Sequence, residues 1–295
     1  MVWASLVYVR VKMPKLLEAK PLVESRIIEL KNQCEQLKKK QIQPSMKVVL
    51  VGENPASLSY IKNKQKLCEQ IGASFKLVQL DIAVSETEFL QEINKINLDK
   101  KTHGAIVQLP LPDHLSKLDV SNLIEARKDI DGFHSENIYG VFSGKDTLFP
   151  CTPKGIMSLC KHYKIELTGK KVVIIGRSLI VGKPLAMLML NQNATVTICH
   201  SKTQDLKNET KKADIIIAAI GKANFVDSTF LNDSKKQILI DVGINKVNGK
   251  LCGDINFDDV KDKVQAITPV PGGVGPLTVL SLIENLLTAV GKQNE

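Results

Sequence analysis

The spacing of apolar residues along the chain alternates between helical periodicity and short continuous runs, which predicts strands alternating with helices. From residue 21 to 40 they recur at near-helical spacing, and residues 46–51 then form the short apolar run of a buried strand. The alternation continues through the first half in predicted elements at 56–71 (helix), 75–80 (strand), 86–97 (helix) and 104–108 (strand). Strands joined by helical crossovers are typical of a parallel sheet, so the pattern predicts the α/β class.

A turn-rich stretch over residues 139–153 separates this series from a second one. The second series has predicted strands at 171–175, 195–199, 214–218, 238–242 and 266–270, a helix at 185–190 and a last helix at 277–290. We therefore expect two parallel-sheet α/β domains, the second of them Rossmann-like, with the C-terminal helix returning to the first. The expected bounds are 13–149 together with 277–295 for the first domain, and 150–276 for the second.

The composition is that of an ordinary globular protein, since 43% of the 295 residues are hydrophobic and 24% are charged. No run approaches the roughly 18 apolar residues of a membrane helix, so we expect a protein that stays in water. The six cysteines lie far apart, without a C-x-x-C pair, which indicates reduced thiols in the cytoplasm and no metal site. We interpret residues 1–12 as a tail of unknown use and place the start of the folded part at Met13.

The net charge of +9 fits nucleic acid, an anionic surface or anionic small molecules as partners. Only 4% of the residues are aromatic, and no basic run is interleaved with the stacking rings that single-strand binders use. Anionic metabolites are therefore the favoured partners, and a basic nucleic-acid-binding protein is the non-enzymatic alternative.

A glycine-rich turn between a strand and a helix, at residues 172–184, is the candidate nucleotide site. Glycines such as Gly176 let a backbone approach a pyrophosphate, although the spacing is not G-x-G-x-x-G and a turn without a ligand remains an alternative. The next strand ends in CHSK, without the carboxylate that NAD-binding units place on the ribose. Arg177, Ser178 and Ser201 instead offer donors and charge for a 2′-phosphate, which favours NADP over NAD.

The helix at 56–71 carries the strongest indication of catalysis. At 100° per residue, Lys64 shares a face with the apolar side of the helix and with Tyr60, whereas Lys62 and Lys66 lie opposite. Partial burial lowers the pKa of a lysine ammonium from about 10.4 toward about 7 to 8, the range that suits a general base. A solvated lysine and a tyrosine that only packs in the core are the alternatives.

Two polar residues and one loop complete the set of candidates. Gln108 ends a predicted strand, where ligands collect in parallel sheets, and could either bond the lysine or tie down the loop. Asp131 precedes Gly132, so a site carboxylate and a turn residue are equally good interpretations. The run 268–276 (TPVPGGVGP) is too rigid for a linker and indicates a backbone that passes close to a ligand.

These segments together resemble the bifunctional methylenetetrahydrofolate dehydrogenase/methenyltetrahydrofolate cyclohydrolase family. The matching pieces, in family order, are VGENPASLSYIKNK (51–64), GAIVQLPLP (104–112), KDIDGF (128–133), PCTPKGI (150–156), GRSLIVGKP (176–184), CHSKT (199–203), DVGIN (241–245) and TPVPGGVGPLT (268–278). They cover the chain from about residue 20 onward. Residues 1–12 resemble nothing in the family, and residues 137–140 differ in detail from the usual loop.

The resemblance implies a cytoplasmic enzyme, a homodimer in most relatives, that binds folate against the first domain and NADP against the second. It implies that 5,10-methylenetetrahydrofolate is oxidised to the methenyl form, which is then hydrolysed to 10-formyltetrahydrofolate with Lys64 as general base. Position by position it implies catalytic or folate-binding roles for Lys64, Gln108, Tyr60, Asp131, Pro271, Gly272 and Gly273, and cofactor contacts for Gly176, Arg177, Ser178, Ser201, Thr152 and Ile244. The alternatives are a monofunctional relative with one of the two activities and a different NADP dehydrogenase of the same layout.

Overall fold

A computed structural model describes residues 15–294, so the predicted tail and Met13 lie outside the described residues. The strands are β1 (Lys15–Leu16), β2 (Ser45–Val51), β3 (Ser74–Leu80), β4 (Gly104–Val107), β5 (Lys171–Ile175), β6 (Thr195–Cys199), β7 (Ile215–Ala218), β8 (Ile238–Asp241), β9 (Asn245–Val247), β10 (Lys250–Cys252) and β11 (Ala266–Ile267). The helices are α1 (Lys20–Lys39), α2 (Pro55–Gln70), α3 (Glu86–Leu98), α4 (Ser135–Ser143), α5 (Cys151–His162), α6 (Gly182–Leu190), α7 (Leu206–Lys211), α8 (Phe257–Val260) and α9 (Val274–Gln293).

The strands form two parallel sheets and one hairpin. The first sheet has the order β3-β2-β4, and the second has the order β1-β11-β8-β7-β5-β6. Strands β9 and β10 pair with each other in antiparallel fashion. The predicted α/β fold with parallel sheets is confirmed, because the apolar runs of the central strands are covered by helices as such sheets require.

A proline in the first turn accompanies three of the differences between the predicted and observed helices. Helix α6 begins at Gly182, three residues before the predicted start, and α9 begins at Val274, again three residues early. In both helices a proline, Pro184 or Pro276, lies in the first turn, where its missing N–H would have no intrahelical partner. Helix α5 has the same construction, with Pro153 in its first turn, and was not predicted for that reason.

Four short strands also differ from the prediction, since the hairpin strands β9 and β10 were not predicted and β1 and β11 differ as well. Strand β11 has two residues, whereas the predicted strand ran over 266–270. Strand β1, also of two residues, was not predicted and pairs with β11 in the six-stranded sheet. Elements of this length carry too few side chains to show a period-2 pattern.

Helix α9 is the central helix of the molecule. It packs against α5, α1, α2 and β4, which confirms that the C-terminal helix returns to the first sheet. By length and composition α9 could cross a membrane, but 72% of its most apolar 18-residue window is buried inside the protein. Its hydrophobicity is therefore that of a core helix.

A buried lysine ties the end of α3 to the segment that leads into the candidate site. Lys128 is 2% exposed, and its Nζ donates to the carbonyl oxygens of Ile96 (3.1 Å), Asn97 (2.7 Å) and Asp99 (2.8 Å). These carbonyls lie at the end of α3, where the Ile96 oxygen also accepts the Asp99 N–H (3.3 Å) and the Asp99 oxygen accepts the Thr102 N–H (3.0 Å). The lysine thus replaces a conventional helix cap.

Replacing Lys128 by methionine should lower the free energy of unfolding by about 3 kcal/mol, because three buried carbonyl groups lose a charged donor. The matched control is Lys95→Met on the exposed face of α3, which should cost less than about 0.5 kcal/mol. Urea unfolding followed by circular dichroism measures both. Equal losses in the two variants would contradict the capping role.

Candidate active site

A cavity of about 860 Å³ lies between the two halves of the chain. Its walls come from α2, the end of β4, α4, the start of α6 and the start of α9. Four of the candidate residues line it together: Tyr60, Lys64, Gln108 and Asp131. The cavity is therefore the place where the predicted catalytic residues meet.

Helix α2 presents Lys64 to this cavity. The Asn54 side chain accepts hydrogen bonds from the N–H groups of Ala56 and Ser57, which fixes the start and the rotation of the helix. As a result Lys64 is only 5% exposed, while Lys62 on the opposite face is exposed. Lys64 is thus a buried amine, and the alternative of a solvated charge does not apply to it.

The partner of the buried amine is an amide rather than a carboxylate. Lys64 Nζ donates to Gln108 Oε1 at 3.1 Å. The other end of the amide, Gln108 Nε2, donates to the Leu109 carbonyl oxygen at 2.8 Å, which turns Oε1 toward the lysine. Both interpretations of Gln108 therefore hold, since its oxygen accepts from the lysine and its nitrogen donates to the loop.

Tyr60 lies one helical turn before Lys64 on the same face. The Nζ atom of Lys64 is 5.1 Å from the centroid of the Tyr60 ring. Burial, together with the nearby Asp131 and Cys151, raises the pKa of Tyr60 to about 12. The phenol therefore stays neutral at physiological pH and offers the cavity a flat ring beside the amine.

Asp129, which the sequence did not single out, takes the turn-forming role that was one interpretation of Asp131. Its carboxylate accepts hydrogen bonds from the N–H groups of Gly132 (3.1 Å) and His134 (2.6 Å) and from Asn137 Nδ2 (3.1 Å). Burial raises the pKa of Asp129 to about 6, although these hydrogen bonds favour the charged form. The turn is built by this residue, which leaves the Asp131 side chain for the cavity.

The backbone on both sides of Asp131 is anchored. Asn285 of α9 donates from Nδ2 to the Ile130 carbonyl oxygen at 2.8 Å, and the Cys151 N–H donates to the Asp131 carbonyl oxygen at 3.3 Å. Gly132 is held by Asp129. Asp131 therefore projects from a fixed loop, which is the arrangement that a binding carboxylate needs.

The glycine-rich turn after β5 has the close packing expected of a nucleotide loop. Gly176 has φ +129°, and a side chain there would collide with the Ala219 carbonyl oxygen. Ser178 Oγ accepts hydrogen bonds from the N–H groups of Val181 (3.1 Å) and Gly182 (3.3 Å), so its own hydrogen remains free to donate outward. The turn brings the backbone to the carboxyl edge of the sheet and leads directly into α6.

The charge around this turn suits a phosphate. Arg177, Ser201 and Lys202 are exposed at neighbouring strand ends. The nearest carboxylate along the chain after β6, Asp205, is used to cap α7 through the Asn208 N–H. The residues present therefore fit a nucleotide with a 2′-phosphate better than one with a free 2′-hydroxyl.

The remaining candidates lie around the cavity rather than in its wall. Thr152 Oγ1 is 3.0 Å from Thr278 Oγ1, and it is Thr278 that faces the cavity. Ile244 is 56% exposed, and Pro271 is exposed in the loop before α9. The second side of the cavity is lined instead by residues that the sequence did not single out, among them Leu179, Ile180 and Lys183.

Two family models match the chain in succession. The model described as tetrahydrofolate dehydrogenase/cyclohydrolase, catalytic domain, matches residues 17–131. The model described as tetrahydrofolate dehydrogenase/cyclohydrolase, NAD(P)-binding domain, matches residues 150–294. The two matches together span most of the chain.

Curated and solved proteins agree with these models. The chain is 46% identical over 271 residues to the bifunctional protein FolD of Bacillus subtilis, covering 92% of this chain and 95% of that one. Its fold is similar to that of the bifunctional methylenetetrahydrofolate dehydrogenase/cyclohydrolase of Campylobacter jejuni, with a TM-score of 0.91, 44% identity and coverage of 94% and 99%. The Trypanosoma brucei dehydrogenase-cyclohydrolase, solved with NADP and an inhibitor, gives a TM-score of 0.90 at 30% identity, with coverage of 96% and 99%.

The raised pKa of Asp129 has a consequence for stability that can be measured. Because the pKa is about 6 in the folded state against 3.8 for a free side chain, the folded protein binds the proton more tightly. The contribution of Asp129 to the free energy of unfolding is therefore fully present below pH 4 and is lost as the pH rises through 6. The expected loss is on the order of 2 kcal/mol.

Urea unfolding of the parent and of Asp129→Asn at pH 4.5 and pH 7 isolates this contribution, because other titrating groups such as Asp241 cancel in the difference. The Asp129→Asn substitution should lower the free energy of unfolding by less at pH 7 than at pH 4.5. A difference that does not change with pH would show that the carboxyl titrates normally.

Proposed function

This chain belongs to the tetrahydrofolate dehydrogenase/cyclohydrolase family, and from that premise we propose that the cavity around Lys64 carries both reactions, with Lys64 as the general base. The family resemblance predicted from the sequence motifs is confirmed. The protein is an NADP-dependent methylenetetrahydrofolate dehydrogenase and methenyltetrahydrofolate cyclohydrolase. It oxidises 5,10-methylenetetrahydrofolate and hydrolyses the methenyl product to 10-formyltetrahydrofolate.

In the oxidation step the protein mainly positions the folate. Bound NADP supplies the hydride acceptor. We assign the Asp131 carboxylate to the pterin, since it projects from an anchored loop, and the Tyr60 ring to stacking against the folate. With the folate held at these two points, the carbon between N5 and N10 faces the second half of the cavity.

In the hydrolysis step Lys64 removes a proton from the water that adds to the methenyl carbon. The observation that carries this assignment is the 3.1 Å contact between Lys64 Nζ and Gln108 Oε1 within the cavity. A carboxylate in place of Gln108 would hold the lysine as a permanent ammonium ion. An ammonium ion would repel the cationic substrate and could not accept a proton, so a neutral partner suits both requirements.

Substituting Lys64 by methionine should lower the rate of methenyltetrahydrofolate hydrolysis by about 100-fold or more, the usual worth of a general base. NADP binding, measured by fluorescence titration, should stay unchanged because the amine lies on the folate side. The assay mixes purified protein with methylenetetrahydrofolate and NADP⁺ and follows methenyl and formyl products separately, which also tests for both activities in one chain.

The matched control is Lys62→Met, a change of the same chemistry on the exposed face of α2 two residues away. It should leave both product curves within about twofold of the parent. Hydrolysis at the parent rate by the Lys64 variant would mean that another group acts as the base.

For the cofactor we assign the 2′-phosphate to Arg177 and Ser201, and the pyrophosphate to the turn at Gly176 and Ser178. Thr152 and Ile244 complete this side of the cleft, and the loop at Pro271, Gly272 and Gly273 lies at its junction with the folate side. The exposed guanidinium and the lack of a carboxylate at the end of β6 support the assignment.

Arg177→Ala should raise the KM for NADP between about 10- and 100-fold, because a charged hydrogen-bond donor to the 2′-phosphate is lost. The KM for NAD, which lacks that phosphate, should change by less than about threefold. Steady-state oxidation of methylenetetrahydrofolate with each nucleotide measures the two constants. A parallel loss with both nucleotides would place the 2′-phosphate elsewhere.

We further propose a division of the chain into 13–149 with 277–295 and 150–276, and a cytoplasmic homodimer that binds neither nucleic acid nor membrane. The two successive family matches support a boundary between residues 131 and 150, although the second match runs on to residue 294. The packing of α9 against α1, α2 and β4 supports its assignment to the first domain. The buried character of α9 supports a protein that works in water.

A further inference from the structure

A second buried aspartate, Asp254, organises the carboxyl edge of the six-stranded sheet. It is 0% exposed, and its carboxylate accepts four hydrogen bonds. Three come from the consecutive N–H groups of Ile220 (2.7 Å), Gly221 (2.9 Å) and Lys222 (2.8 Å), and the fourth from Asn245 Nδ2 (2.9 Å). One side chain therefore joins the loop after β7 to the residues after β8.

A neighbouring carboxylate continues this arrangement. Asp241, at the end of β8, accepts hydrogen bonds from the N–H groups of Gly243 (3.0 Å), Asp254 (2.9 Å) and Ile255 (2.9 Å). Ile244 is thus flanked by Gly243, which Asp241 holds, and by Asn245, which Asp254 holds. The exposed Ile244 side chain is placed by its two anchored neighbours.

The loop held by Asp254 also meets the glycine-rich turn. The Ala219 carbonyl oxygen occupies the space where a side chain at Gly176 would lie. Ala219 directly precedes the three N–H groups that Asp254 binds. A shift of the loop after β7 would therefore move Ala219, the residue against which Gly176 packs, and with it the glycine-rich turn.

We propose that Asp254 is a positioning residue for the nucleotide: without touching it, the buried carboxylate sets the distance between the turn at Gly176 and the residues at Ile244. This inference rests on the proposed cofactor site. A change at Asp254 should therefore affect the two activities differently. Oxidation needs a correctly placed nucleotide, whereas hydrolysis of methenyltetrahydrofolate needs only the folate side of the cavity.

The test is Asp254→Asn, which keeps the size of the side chain but turns an amide N–H₂ toward backbone N–H groups that need an acceptor. We expect the KM for NADP to rise at least about tenfold, since small displacements of a bound reactant are costly. Hydrolysis of methenyltetrahydrofolate supplied directly, without nucleotide, should stay within about twofold of the parent. The matched control is Asp227→Asn in the same half, which makes the same change of side chain away from the loop after β7. Its amide oxygen can still accept from the Thr229 N–H, so it should change neither constant.

Equal losses of oxidation and hydrolysis in Asp254→Asn would overturn the proposal, because they would show a general effect on folding. An unchanged KM for NADP would overturn it as well. If the variant does not fold, Asn245→Ala removes only one of the four bonds; a rise of about threefold in the KM for NADP with hydrolysis unchanged supports the proposal, and no rise overturns it.

Arg177→Ala, assayed in parallel, distinguishes this inference from the proposed cofactor site. If Arg177→Ala raises the KM for NADP and Asp254→Asn does not, the cofactor site stands and the positioning role falls. If neither variant raises it, the cofactor site is wrong and the inference falls with it.

Discussion

The candidate active site depends most on which side chain accepts the hydrogen bond of the buried Lys64 amine. Lys64 is taken out of water by α2 and meets an amide oxygen, not a carboxylate. In general, a carboxylate beside a buried amine favours its protonated form, whereas a neutral amide adds no charge to the pair. The end of β4 and the loop after it supply the neutral partner, because Gln108 is oriented by its own bond to the Leu109 carbonyl. The proposed chemistry at the cavity depends on this choice of partner.

The two halves of the site are built by the same device, a buried aspartate that binds backbone N–H groups of a loop. Asp129 does so beside Asp131, and Asp254 does so beside Ile244. Asp131 lies between residues whose backbones are fixed, and the exposed Ile244 lies between Gly243, whose N–H Asp241 binds, and Asn245, whose side-chain amide Asp254 binds. Loops that carry binding groups gain precision when buried polar groups of the scaffold hold them. Each loop can therefore stay short and still present its side chain in a defined direction.

Much of this could be predicted from the sequence, because it depends on local periodicity. The apolar runs predict the strands of both sheets except β1, and the 100° rotation per residue places Lys64 on the inward face of α2. The positioning aspartates could not be predicted, since their hydrogen bonds join residues that are distant in the sequence, such as Ile220 and Asp254. Asp129 and Asp131 stand two residues apart in similar surroundings, and only the tertiary structure shows which of them builds the turn. Helix α5 was missed because its proline lies inside the first turn.

Helix α9 shows why both reactions can share one cavity. Its first turns bring Thr278 and Leu282 to the cavity wall, while Asn285, less than one turn further, holds the Ile130 and Phe149 carbonyl oxygens. On another side Glu284 pairs with Arg26 of α1 and Lys154 of α5. A helix buried along most of its length must satisfy each of these polar groups internally, and those contacts fix its rotation. The wall of the cavity and the loop of Asp131 are therefore positioned by the same rigid element, which is how one cavity can serve both proposed reactions.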